Sequence, residues 1–146
     1  MTTQETKDLI RGFLKSWVAG DAKQAMTVFT EESVWTTPQG SYKGLAQIEK
    51  FLKWPITTIK DYKITENGVG VLVEGDSALI EHELSGYING KFFKVPANCV
   101  WEFRNGKVIK LRTFFDVLSQ AQQVASGTFP MMAVKAITKA TRKGLD

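Results

Sequence analysis

Helical spacing opens and closes the chain, and strict alternation fills the stretch between. Leu9, Phe13 and Trp17 recur every fourth residue beside Ile10, Leu14 and Val18, which predicts an amphipathic helix over about 3–18. Gly20 breaks it, and Asp21 is placed to cap a short helix from Ala22 to Phe29. A short strand at Val34 to Thr36 leads into a Pro/Gly turn. A third helix from Leu45 to Lys53 is expected to stop before Pro55. From Tyr62 the apolar positions fall on every second residue. That pattern predicts strands at Tyr62 to Glu66, Val69 to Glu74, Ala78 to Ile88, Lys91 to Arg104 and Lys107 to Asp116. Asn89-Gly90 and Asn105-Gly106 read as two-residue hairpin loops. Helical spacing returns at Gln120 to Ala125, breaks at Gly127 and resumes from Met131 to Lys143. Helices followed by an antiparallel meander make an α+β architecture. Residues 1–126 are expected to form one domain, with 127–146 a basic C-terminal helix packed on the body or on a dimer partner.

The two hairpins act as rulers, because the turn fixes which side chains share a face. Counting from them puts Ile80, His82, Leu84, Val95, Ala97, Cys99, Trp101, Val108, Lys110, Arg112, Phe114 and Asp116 on the apolar face. The opposite face receives Glu81, Glu83 and Lys94, a solvated set, with Ile109, Leu111 and Phe115 as an apolar stripe on the last strand. His82 and Asp116 then stand roughly 12 Å apart between Cα atoms, close enough to converge on a concave sheet. A bulge at Pro96, which has no N–H for the ladder, would flip the faces on one side of it.

Composition narrows the classes. A chain of 146 residues can bury a sizeable core as one domain, and 11% aromatic content with four Trp and nine Phe points to a large apolar interior or a ligand cavity. Cys99 is the only cysteine, so no internal disulfide is possible and a reducing compartment is expected. The N-terminus lacks a signal-peptide pattern, and no apolar run approaches the roughly 20 residues of a membrane span. The expected location is cytoplasmic. Of the net charge of +4, most lies in the tail, where Lys135, Lys139, Arg142 and Lys143 face a single acid, Asp146. No nucleic-acid module accompanies that charge. One histidine and one cysteine argue against a protein-only metal site, and no nucleotide or phosphate fingerprint occurs, so no cofactor is expected.

Three helices, a curved antiparallel sheet, a Trp17 to Asp21 "WVAGD", Gly44 before a helix and the final "NGKVIKLRTFFD" strand together resemble the nuclear-transport-factor-two-like superfamily. The nearest in character are the limonene epoxide hydrolases and the SnoaL-type polyketide cyclases. The resemblance spans about 6–124. It implies a cone-shaped, cystatin-like α+β barrel, with the N-terminal helices on the concave face around a deep apolar pocket. It also implies a homodimer through the outer sheet face. Asp116 matches the last-strand aspartate of the hydrolases. Their Arg-x-Asp falls on His82-x-Leu84, and their Tyr and Asn fall on Trp35 and Thr37. Most of the set that holds the attacking water is therefore replaced.

Asp116 reads as a general acid/base at the pocket, as a helix cap, or as a partner for Arg112. His82, on an apolar face, reads as its orienting partner or as a satisfied core residue. Trp35, Tyr42, Trp101, Arg112 and Phe114 are the expected substrate-binding set. The leading expectation is a cofactor-independent isomerase, cyclase, dehydratase or hydrolase. It would act on a small apolar oxygen-bearing molecule such as a terpenoid, steroid or polyketide. The alternative is a binding module of the same fold that holds an apolar ligand or a partner without chemistry. No nucleic acid is expected as a partner. The basic helix is expected to pack on protein rather than on a membrane.

Overall fold

The computed structural model describes residues 1–144. Helix α1 (Thr3–Val18) starts in a capping box, in which Thr2 accepts from the Glu5 amide while the Glu5 carboxylate accepts from the Thr2 amide. Its inward stripe buries Thr6, Ile10, Phe13, Leu14 and Trp17. Asp21 caps α2 (Ala22–Met26), shorter than the pattern suggests. Strand β1 (Phe29–Thr37) is longer than expected, because it pairs with β2 (Gly40–Lys43) on one side and runs parallel to the last strand on the other.

Helix α3 (Gly44–Thr58) continues through Pro55 instead of stopping before it. Proline removes the donor that would serve the Phe51 carbonyl, and in the same turn the Trp17 indole ties the helix to α1 by donating to the Leu52 carbonyl at 2.7 Å. Pro55 itself is buried, so packing overrides the local break. The meander follows as β3 (Lys60–Glu74), β4 (Ser77–Ile88), β5 (Lys91–Arg104) and β6 (Lys107–Phe115). The six strands lie in the order β2-β1-β6-β5-β4-β3. Both Asn-Gly loops have two consecutive positive φ angles, near 51° then 76° and 51° then 73°, which is the geometry of a type I′ turn.

The β4–β5 register matches the ruler, with Ile80 opposite Cys99, His82 opposite Ala97 and Leu84 opposite Val95. It runs unbroken through Glu83 and Pro96, so there is no bulge at the proline. The reason lies at the strand's other side. β6 ends opposite Ala97, so no ladder bond waits for a donor from Pro96. Two residues earlier, the Gln123 side-chain amide pairs with both the N–H and the C=O of Lys94, standing in for a strand.

The β5–β6 register departs from expectation. Phe103 faces Val108, but Glu102 faces Lys110, so Ile109 is an extra residue in a bulge. Every β6 side chain beyond it changes face. Leu111, Thr113 and Phe115 turn inward, opposite Trp101, Cys99 and Ala97, while Lys110, Arg112 and Phe114 turn outward. The predicted outer stripe of Ile109, Leu111 and Phe115 therefore does not exist; Leu111 is fully buried. After β6 come α4 (Val117–Val124) and α5 (Thr128–Thr141). Among the described residues no helix is long and apolar enough to cross a membrane.

Candidate functional site

The helices and the concave sheet face enclose two apolar clusters. One is built on α1, α3 and Trp35, the other on Ile59, Leu84, Phe93, Val95 and Ala97. Between them lies a cavity of about 60 Å³. Its walls are aromatic: Trp17, Trp35, Phe51, Trp54, Tyr62 and Phe93. Its deep polar members are His82, Cys99 and Thr113, with Thr37, Gln39 and Gln120 also on the lining. An apolar protein cavity that holds benzene measures about 150 Å³. The space here is less than half that volume.

A chain of polar contacts crosses the floor. The Trp35 indole donates to Thr113 Oγ1 at 2.9 Å. Thr113 Oγ1 lies 3.2 Å from Cys99 Sγ, which lies 4.0 Å from His82 Nε2. The chain exists because the bulge brings Thr113 opposite Cys99. At its end, His82 Nδ1 is buried and has no hydrogen-bond partner among the described residues.

Burial sets the charge of the site. Desolvation pushes the His82 imidazole below its ordinary pKa; the nearby Ile80 backbone offsets this in part without reaching hydrogen-bond geometry at Nδ1. The same cause pushes the Cys99 thiol up to about 12 and the Tyr62 phenol above its ordinary value. Tyr62 is only half-buried as a residue, yet its hydroxyl end titrates in the interior. At neutral pH all three groups are neutral, and among the described residues no carboxylate, lysine or arginine lines the cavity.

Of the residues singled out in the sequence, His82 and Trp35 meet in this cavity. The others do not. Asp116 is exposed and caps α4, its Oδ1 accepting from the Ser119 amide at 2.8 Å. It does not share a face with His82, because the bulge reversed β6 before reaching it. Arg112 points outward and donates to Glu102 at 2.8 Å. Phe114 is 52% exposed on the same outer face. Trp101 is fully buried, but it packs parallel to Phe103 in the main core and does not line the cavity. Tyr42 stacks on Phe51 at 4.3 Å and faces a separate outer groove.

Thr113 is the site residue that the ruler missed; Cys99 lay on the apolar face with His82 but was not singled out. The signal for Thr113 was present in β6. Val108 and Ile109 are adjacent apolar residues, and beyond them alternation continues with charged Lys110 and Arg112 out of step with Val108. That break of phase is the mark of a bulge. Among the described residues no cluster of His, Cys, Asp and Glu could hold a metal.

Residues 10–111 match the SnoaL-like domain family, so the chain belongs to that family, within the nuclear-transport-factor-two-like superfamily. Solved structures confirm the fold. A ketosteroid-isomerase-like protein from Catenulispora acidiphila, crystallised with trimethylamine, superposes with TM-score 0.74 at 18% identity, covering 82% of this chain and 94% of its own. A nuclear-transport-factor-two-like protein of unknown function from Burkholderia pseudomallei gives 0.76 at 16% identity, covering 86% and 100%. A candidate SnoaL-like polyketide cyclase from Jannaschia gives 0.73 at 20% identity, covering 86% and 94%. No curated protein matches the chain.

Proposed function

For a SnoaL-like domain whose cavity is small, aromatic and uncharged, we propose binding of a compact, neutral, largely apolar molecule bearing one polar group, with His82 as the polar anchor. The observation that carries this reading is the buried, unpartnered Nδ1 of His82 at the cavity lining. An unmade bond to a buried polar atom costs roughly 1–3 kcal/mol, and a ligand hydroxyl or amine would recover it. The complex of the Catenulispora relative with trimethylamine supports a ligand of this scale. The aromatic walls supply contact area, and the neutral lining favours an uncharged guest.

Titration of matched small ligands tests the proposal. Trp17, Trp35 and Trp54 line the cavity, so intrinsic fluorescence reports occupancy. Ethanol is expected to bind about 2- to 10-fold more tightly than propane, the worth of one hydrogen bond. His82→Leu is expected to remove that preference while leaving propane bound. Equal affinities in the wild-type protein would overturn the role of His82, and no saturable signal from either ligand would overturn the cavity reading.

A second reading adds proton transfer by His82 to the same pocket. Its support is that burial keeps the imidazole an unprotonated base at neutral pH. Turnover that depends on His82 but not on Asp116 would favour it over binding alone.

A further inference from the structure

Helix α5 rests on the body through one side only. Val134 and Thr138 are half-buried there, and Gln122 of α4 donates to Thr138 Oγ1 at 2.6 Å. The opposite side carries Phe129, Met132, Ala133, Ala136, Ile137 and Ala140, an unbroken apolar stripe at helical spacing. All six are exposed, Phe129 at 81%, Met132 at 63% and Ile137 at 52%. Along one flank of the stripe run Lys135 and Lys139, with Arg142 and Lys143 just beyond the helix. Lys91 of β5 joins Lys135, Lys139 and Arg142 around the adjoining cleft. The helix contains no Asp or Glu, and among the described residues neither Lys135 nor Lys139 forms an ion pair.

We propose that α5 is an interfacial helix that lays this apolar stripe into the surface of an anionic lipid bilayer, with its basic flank on the headgroups. Charge decides between the two occupants that suit an apolar helix face. A second α5 packed antiparallel about a twofold axis would bring the Lys135 and Lys139 flanks of the two copies together, and the helix itself carries no Asp or Glu to offset them. An anionic headgroup layer meets apolar stripe and cations together.

Co-sedimentation of the full chain with vesicles tests this. Phosphatidylcholine vesicles containing phosphatidylserine are expected to bring the protein down at low salt, and phosphatidylcholine alone is not. Exchange of both flank lysines, K135Q/K139Q, is expected to weaken partition at least about tenfold. Ile137→Asp is expected to abolish it. Both changes lie on exposed positions, and unchanged circular dichroism and cavity fluorescence verify the fold. Three results would overturn the proposal. They are no binding to the phosphatidylserine vesicles, equal binding to both vesicle types, and a lipid-free dimer in sedimentation velocity that Ile137→Asp splits.

Discussion

The buried imidazole of His82 couples folding to pH. Its pKa is lowered on folding by desolvation, so the folded protein resists a proton that the unfolded chain accepts near pH 6.5. Stability from this group is complete above the unfolded value. It is lost as pH falls from there toward the folded value, because the unfolded state then binds more protons. The slope reaches about 1.4 kcal/mol per pH unit, which sets a ceiling near 2 kcal/mol by about pH 5. His82 is the only histidine. Glu66, lowered by Arg11, and Glu5, lowered by Thr2, lose their contributions only below the ordinary carboxylate value of 4.5. Urea unfolding followed by tryptophan fluorescence is the assay, and a midpoint fall of up to roughly 1 M across the window is expected. His82→Leu removes the slope. At neutral pH that variant is expected to gain about 1 kcal/mol, since it deletes an unpaired buried atom and only a long sulfur contact. A wild-type midpoint that stays flat between about pH 6.5 and 5, or a variant that keeps the slope, would refute the reasoning.

Asp116→Ala is expected to cost about 1 kcal/mol of stability through the lost cap on α4, measured by thermal melting, with ligand affinity in the cavity unchanged. Loss of ligand binding in a folded Asp116→Ala protein would return that carboxylate to the site. Cys99, with its pKa pushed up to about 12, is expected to ignore a thiol-reactive disulfide reagent near pH 8 until urea unfolds the chain. Rapid full labelling of the native protein would contradict its burial.

The periodicity resolved the fold well because most of it is set locally. Helix α1, strands β4 to β6 and both Asn-Gly turns come from side-chain spacing and from residues that tolerate positive φ, whereas the two strands expected at Tyr62 to Glu66 and Val69 to Glu74 are one, β3, with a register shift between Glu66 and Val71. Pro55 misled because its buried packing outweighs a break that is real in isolation. Pro96 misled in the other direction, because β6 ends before its missing donor matters. The site was half legible. His82 and Trp35 were reachable, since the β4–β5 hairpin keeps perfect register and Trp35 sits on a strand facing the helices. Thr113 and the true orientation of Arg112, Phe114 and Asp116 depended on one extra residue at Ile109. A single-residue slip exchanges both faces of everything after it.

The pairing of Gln123 with Lys94 has a consequence for how the protein keeps to itself. Where β6 stops, β5 runs on, and its backbone there would be an open edge of the kind that recruits strands from other molecules. One side-chain amide occupies that donor and acceptor at 2.9 and 3.2 Å, so the place is filled without another strand. Helix α4, short and with no fully buried residue, thus serves as a guard against intermolecular sheet growth.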